Sequence, residues 1–82
     1  MKRWETNYKG HQIRVTNGWI AGERLYVDGE LQDERGGFAL RSRLWGKIKS
    51  GDGAGEIVKV SIGGWLFIGC RIFVDDVLVL SS

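Results

Sequence analysis

Two ten-residue segments of the chain are close copies of each other, and this duplication limits the folds that the chain can adopt. Residues 23–32 read ERLYVDGELQ, and residues 70–79 read CRIFVDDVLV. Each is an apolar and aromatic run that reaches a two-residue turn signal, Asp28-Gly29 or Asp75-Asp76, and then resumes as a second apolar run. This pattern is typical of a β-hairpin. Glycine accepts the positive φ of such a turn without strain, whereas Asp76 must accept strain or use another turn.

The duplication extends upstream of both hairpins. Residues 12–16 (QIRVT) match residues 57–61 (IVKVS), so the two copies cover about residues 4–33 and 45–80. Two similar half-sheets, each with one apolar face, can close against each other. We therefore predict a single β domain over residues 1–82. Its expected fold is all-β, an antiparallel β-sandwich or barrel-like meander of about eight strands built from two similar four-strand halves.

The composition agrees with such a domain. The 82 residues include no proline and many glycines between apolar runs, which is typical of antiparallel strands joined by tight turns. No run approaches the roughly 20 apolar residues that a membrane helix needs, and the first ten residues lack an apolar segment. The single cysteine, Cys70, excludes an intramolecular disulfide and fits a reducing compartment. These features predict a cytoplasmic protein with no membrane partner.

Alternating side chains predict which residues face the core. Ile13 and Val15 share one face of the first copy, and Val58, Val60 and Ile62 share one face of the second. The polar residues between them are expected on the opposite, solvated face.

The C-terminal part of the chain is apolar on both faces of its predicted strands. This pattern covers residues 65–74 and 77–80. Either these strands are central and covered on both sides, or they expose an apolar patch for a protein partner or for self-association. The candidate residues of this patch are Trp65, Phe67 and Phe73.

A basic strip leads into the second copy. Residues 35–51 contain five cations and no acid, although the formal net charge of the chain is only +2. Because alternate residues of a strand share a face, the strip collects its cations on one side and sends the intervening apolar residues to the core. The strip consists of Arg41, Arg43, Trp45, Lys47 and Lys49, and its core side of Phe38, Leu40, Leu44 and Ile48.

Two interpretations of the basic strip stay open. A basic strand face with an aromatic side chain in its middle is a common way for β domains to bind single-stranded nucleic acid. A solvated edge strand, on which lysine and arginine deter edge-to-edge aggregation, has the same sequence. The two differ at Trp45. We expect this ring to be buried as the counterpart of Trp4 in the first copy, which would favour the solvated edge.

No combination of residues predicts catalysis. His11 is the only histidine, and no serine or cysteine is placed to form a known nucleophile motif with it. Cys70 lies in an apolar run and is expected to be a small core residue, and one cysteine with one histidine cannot form a structural zinc site. Residues 51–55 (GDGAG) precede a strand and not a helix, so they predict a hairpin loop instead of a phosphate-binding loop. We expect no enzyme activity, no cofactor and no metal.

A series of short motifs runs along most of the chain. The most specific is GERLYVDGE at residues 22–30. The others are, in order, Trp4, Gly10-His11-x-Ile13-x-Val15, Gly18, Phe38-x-Leu40, the strand around Val58 and Val60, and Ile72-x-Val74-Asp75. In this order the motifs resemble the Fas apoptotic inhibitory molecule family. The resemblance implies a non-enzymatic β-sandwich that acts through protein contacts, and it carries over no catalytic residue.

Two functions from different classes follow as predictions. The first is a small cytoplasmic protein-interaction module, as the resemblance implies, with self-association as one form of it. The second is binding of single-stranded nucleic acid or another polyanion through the basic strip. Exposed apolar residues within 65–73 would favour a protein partner, and an open cationic face around Trp45 would favour nucleic acid.

Overall fold

The chain forms two four-stranded antiparallel sheets. The structure is a computed structural model, and it describes residues 2–18, 22–36, 41–64 and 68–82. Its strands are β1 (Lys2–Tyr8), β2 (His11–Gly18), β3 (Gly22–Val27), β4 (Glu30–Arg35), β5 (Arg41–Lys47), β6 (Ile57–Gly63), β7 (Gly69–Val74) and β8 (Val77–Ser81). One sheet has the order β1-β2-β3-β4 and the other the order β5-β6-β7-β8. The predicted all-β fold of two similar four-strand halves is confirmed. Within the described ranges, no helix is long and apolar enough to cross a membrane.

The strands of the two sheets pair in equivalent registers. Each has a row of three paired apolar residues, namely Trp4, Val15 and Leu25 in the first sheet and Leu44, Val60 and Ile72 in the second. A β-bulge interrupts the pairing at the same place in both sheets, just before Tyr26 in β3 and just before Phe73 in β7. Because a one-residue slip would turn every side chain to the other face, this common register defines which residues of the two halves are equivalent.

Both predicted hairpin turns have positive φ at their two central residues. The φ angles are 52° and 80° at Asp28 and Gly29, and 47° and 66° at Asp75 and Asp76. These values correspond to the type I′ turn, whose twist matches that of the flanking strands. Of the two options for Asp76, the structure shows the first, a side-chain-bearing residue held in the left-handed region.

The aspartate that opens each turn bonds to a residue near the start of the adjacent strand through both its N–H and its carboxylate. The Asp28 N–H donates to the Gln12 carbonyl at 2.8 Å, and the Gln12 N–H donates to Asp28 Oδ1 at 3.0 Å. Asp75 and Ile57 make the same two bonds in the second sheet, each at 2.9 Å. The duplicated aspartate is therefore explained by this link between the turn and the adjacent strand.

Glycine begins the third strand of each sheet because the neighbouring strand passes too close for a side chain. A Cβ at Gly22 would lie 1.9 Å from the carbonyl oxygen of Arg35. One at Gly69 would lie 2.7 Å from the carbonyl oxygen of Ser82. Real Cβ atoms do not approach this closely, so both glycines permit the β3–β4 and β7–β8 strand ends to meet.

One apolar core lies between the two sheets. Leu25, Val27, Ile72 and Val74 are at most 4% exposed and belong to a single cluster, as the duplication predicts. The other buried members among the described residues are Trp4, Ile13, Val15, Leu44, Ile48, Val58, Val60, Ile62 and Cys70. The expected alternation on β2 and β6 is thus confirmed. Burial raises the pKa of the Cys70 thiol to about 12, in agreement with its expected place in the core.

Candidate functional site

The part of the basic strip formed by Arg43, Trp45 and Lys47 lies on the outer face of the second sheet, next to residues from β6 and β7. Pairing across the strands extends its alternate side chains into two rows. The aromatic row contains, in order across the sheet, Trp45, Lys59, Phe73 and Leu78. The cationic row contains, in the same order, Arg43, Ser61, Arg71 and Ser81. We call these two rows together the β5–β8 outer face.

Trp45 is half-exposed on this face. It is 51% exposed, and the Nζ atom of Lys59 lies 4.8 Å from the centroid of its ring. The expectation that Trp45 is buried as the counterpart of Trp4 is wrong. The pairing register makes Leu44 the counterpart of Trp4, and the next residue of a strand points to the opposite face.

The structure brings part of the basic strip together. Arg43, Trp45 and Lys47 are exposed at alternate positions of β5. Lys49 lies beyond the end of β5 and forms an ion pair with Glu30, so it is not on the outer face. The side chain of Arg41 lies outside the described part of the structure.

The core side of the strip follows the same alternation. Leu44 and Ile48 are fully buried, as expected. Phe38 and Leu40, also expected in the core, lie outside the described residues.

Of the predicted apolar patch, only Phe73 is described. Trp65 and Phe67 lie outside the described residues. Phe73 is half-buried and stands in the same row as Trp45. The two rings line an open groove of about 360 Å³, together with Arg43, Leu44, Lys59, Val60, Ser61 and Arg71. Arg43 and Trp45 of the basic strip and Phe73 of the apolar patch therefore contribute to a single surface.

Two cations of this face were not assigned to it from the sequence. Lys59 lies between the core residues Val58 and Val60, and Arg71 lies just before the core residue Ile72. The alternation already indicates that both point outward. Only the strand register shows that they adjoin Trp45 and its neighbours, and this register is not contained in any local pattern.

The first sheet provides an internal comparison for this face. Its equivalent rows contain Glu5, Arg14, Tyr26 and Leu31, and Arg3, Thr16, Arg24 and Glu34. Both sheets carry three cations in these rows, but the first sheet also carries two carboxylates. The Glu5 carboxylate lies 3.3 Å from Arg3, and that of Glu34 lies 3.7 Å from Arg24. In the second sheet Trp45 and Ser81 occupy the two acidic positions, so its cations exceed its acids.

Within the described ranges, two carboxylates accept hydrogen bonds from residues of the β5–β8 outer face. Asp76 Oδ1 accepts a hydrogen bond from Lys59 Nζ at 3.0 Å. Asp33 Oδ2 accepts the backbone N–H of Trp45 at 2.9 Å. Among the described residues, neither Arg43 nor Arg71 pairs with a carboxylate. The cationic row therefore keeps its positive charge available to an anion.

A second polar cluster joins the loop between β5 and β6, which contains the predicted GDGAG hairpin connection, to the first sheet. His11 is 8% exposed, with Nδ1 2.6 Å from Asp28 Oδ2 and Nε2 2.7 Å from the carbonyl oxygen of Asp52. Both neighbours are acceptors, so the two hydrogen bonds form together when both ring nitrogens carry a proton, which favours the imidazolium form. The hydrogen bond with Asp28, and then that with Asp52, raises the pKa of His11, and the His11 contact lowers the pKa of Asp28.

Tyr8 and Lys9 extend this cluster through Glu56. The Tyr8 hydroxyl donates to Glu56 Oε1 at 2.7 Å, and Lys9 Nζ donates to Glu56 Oε2 at 3.1 Å. The polar groups satisfy one another, and the described ranges contain no group of His, Cys, Asp and Glu that could hold a metal ion. This cluster therefore connects the two halves of the molecule.

Comparisons with known proteins add no relative. No protein-family model matches the chain, and neither a curated protein nor a solved structure matches it. The resemblance to the Fas apoptotic inhibitory molecule family stays a prediction. The functional argument therefore rests on the β5–β8 outer face itself.

Proposed function

We propose that the chain binds single-stranded nucleic acid on the β5–β8 outer face. The observation that carries this proposal is the half-exposed Trp45 ring, which lies beside Arg43 and Lys59 on a four-stranded antiparallel sheet. Nucleobases stack on exposed aromatic rings, and lysine or arginine attracts the phosphates. A surface that offers both groups side by side suits both parts of a nucleotide.

A solvated sheet face explains this surface less well, because the two halves differ. The first sheet has the composition expected for solubility, since Glu5 forms an ion pair with Arg3 and Glu34 forms one with Arg24. At the position of Glu5 the second sheet exposes a tryptophan, which gives nothing to solubility and presents a large apolar ring to water. Loss of the carboxylates and gain of an aromatic ring together favour an anionic, aromatic ligand.

A titration with a fluorescently labelled mixed-sequence oligonucleotide at low salt tests the proposal. We expect binding that weakens with salt, with a log–log slope of about −0.7 for each phosphate contacted. The double variant Arg43→Gln/Arg71→Gln should weaken binding and flatten the slope. The matched control is Arg3→Gln/Arg24→Gln, which makes the same change at the equivalent positions of the first sheet and should have a much smaller effect. Absence of binding at low salt, or equal losses in the two variants, would overturn the proposal.

A second candidate function is binding of a protein partner along β8, in line with the resemblance stated above. β8 is an edge strand of its sheet, and its Val77 and Leu78 side chains are 62% and 49% exposed. An edge strand with exposed apolar side chains can pair with a strand of another chain, including a second copy of itself.

Self-association is the form of this contact that can be tested without a known partner. Sedimentation velocity over a range of concentrations should show a dimer, and Val77→Lys should shift it to the monomer because lysine protects an edge strand from pairing. A monomer at every concentration would contradict self-association through β8.

A further inference from the structure

We infer that Trp45 and Phe73 form two separate base sites, so that the ligand is a single strand whose neighbouring bases are splayed apart. This inference rests on the proposed function and specifies how the β5–β8 outer face holds its ligand. It assigns the bases to the aromatic row and the phosphates to the cationic row.

The spacing of the two rings sets the kind of strand that fits. Trp45 and Phe73 lie in the same row with Lys59 between them, so their backbones are two strand spacings apart, or about 9.6 Å. Neighbouring bases in a duplex are stacked about 3.4 Å apart and cannot reach both rings. Two adjacent bases reach both only when they are unstacked, which a single strand permits at low cost. The geometry thus favours single-stranded over double-stranded nucleic acid.

The cationic row is placed to hold the backbone of the same strand. Arg43 and Arg71 flank Ser61 and lie two residues along their strands from Trp45 and Phe73, about 6.8 Å away. Each aromatic ring therefore has an arginine beside it on its own strand. A guanidinium binds a phosphate through two parallel hydrogen bonds, and the Ser61 hydroxyl can donate a third between them.

Lys59 occupies the space between the two rings and has to move when a base arrives. Its Nζ atom lies over the Trp45 ring at 4.8 Å and donates to Asp76 Oδ1 at 3.0 Å. A base that stacks on this side of Trp45 displaces the ammonium, which can then turn on its flexible stem to a phosphate. Asp76 opposes that movement, so it competes with the ligand for Lys59.

Ligands that differ only in their bases give the decisive test. The probes are an oligonucleotide, an abasic oligomer with the same number of phosphates, and a duplex of equal length, each measured by anisotropy at one salt concentration. We expect the natural single strand to bind at least about tenfold more tightly than the abasic oligomer, since each stacked base contributes about 5- to 150-fold. Equal affinity for the natural and abasic oligomers would overturn the inference and leave the proposed function standing. Absence of binding by all three would overturn both.

Variants then separate the two base sites. Trp45→Leu and Phe73→Leu should each weaken binding of the natural strand by about tenfold with an unchanged salt slope, and neither should affect the abasic oligomer. The matched control is Tyr26→Leu, which alters the residue equivalent to Phe73 on the first sheet and should leave binding unchanged. Asp76→Asn should raise affinity by about 1.5- to 5-fold, because it releases Lys59 from an exposed ion pair. An unchanged affinity in Phe73→Leu would overturn the two-site arrangement.

Discussion

Glu5 and Trp45 occupy the same position in the two halves of the molecule, each opposite a cation on the next strand. Glu5 pairs with Arg14 across β1 and β2, and Trp45 pairs with Lys59 across β5 and β6. The shared register means that the backbone environment of Trp45 also accommodates a glutamate. At this position the first half thus carries a charged side chain and the second half an aromatic one.

The variant Trp45→Glu should therefore fold and should bind nucleic acid more weakly than the native protein under the proposed function. We expect a stability change within about 1 kcal/mol, because the site is on the surface and its equivalent already holds glutamate. Nucleic-acid affinity should fall by more than in Trp45→Leu, since the carboxylate repels phosphates and lies within reach of Arg43, as Glu5 does of Arg3. Thermal melts by circular dichroism and anisotropy titrations measure the two effects. Unchanged affinity in the glutamate variant would contradict the assignment of Trp45.

The His11–Asp28 contact predicts a pH window for stability. Because the folded pKa of His11 is raised, its contribution is complete below the ordinary value of 6.5 and is lost as the pH rises through the folded pKa. Because the folded pKa of Asp28 is lowered, its contribution is complete above the ordinary value of 3.8 and is lost as the pH falls through the folded pKa. Both residues contribute their full stabilisation only between pH 3.8 and pH 6.5. The urea midpoint should therefore decrease as the pH is raised from about 6 to about 9.

A matched pair of turn variants isolates this effect. Asp28→Asn keeps an oxygen for the Gln12 N–H and tolerates positive φ, but it removes the charge beside His11. It should reduce the decrease in midpoint above pH 6.5. Asp75→Asn makes the same change in the other turn, whose aspartate bonds to the Ile57 N–H and has no histidine partner. The same loss of pH dependence in both variants would argue against a role for His11.

Equivalent positions in the core should contribute equally. Val27 and Val74 are 4% and 0% exposed, and we expect Val27→Ala and Val74→Ala each to lower the free energy of unfolding by about 1 to 3 kcal/mol. Val77→Ala is the control, because a side chain 62% exposed should contribute less than about 0.5 kcal/mol. Urea unfolding followed by tryptophan fluorescence measures all three. Clearly different losses for Val27→Ala and Val74→Ala would contradict the equivalence of the two positions.

The two hairpin turns should respond to substitution in opposite directions. Asp76 has a φ of 66°, so Asp76→Gly relieves backbone strain and should stabilise the fold by about 0.5 to 1 kcal/mol. Gly29 has a φ of 80°, and a Cβ added there would meet no atom within 4 Å, so Gly29→Val should destabilise through the backbone alone. Thermal melts measure both shifts. Two shifts of the same sign would contradict the turn assignment.

Features that depend on neighbours in the chain could be predicted from the sequence. The Asp-Gly and Asp-Asp turns, the alternation on β2 and β6 and the core position of Cys70 all belong to this class. The position of Trp45 could not be predicted by matching it to Trp4, because identity of residue type placed it one position out of register and so on the wrong face.

Features that depend on how strands and sheets meet could not be predicted. Lys59 and Arg71 reach the basic strip only through the pairing of β5, β6 and β7. The contact of His11 with Asp52 spans 41 residues and exists only because the β5–β6 loop packs on the first sheet. Neither the placement of Lys59 and Arg71 nor the His11–Asp52 contact is encoded in a local sequence pattern. The composition of the outer face depends on the register of all four strands of the sheet.

Each described strand pairs only with its neighbours in sequence, and the described backbone hydrogen bonds outside the strands also stay within one half. Apolar contact and side-chain bonds, such as that from Tyr8 to Glu56, are what join the halves. The two sheets can therefore separate at their interface without breaking a described backbone hydrogen bond of either sheet. Separation of the sheets would expose Val27 and Val74 to water. We expect the free energy of this opening to be lower than that of the opening that lets the amide protons of β2 and β6 exchange. Opening of this kind loosens the core and leaves the backbone hydrogen bonds of both sheets intact.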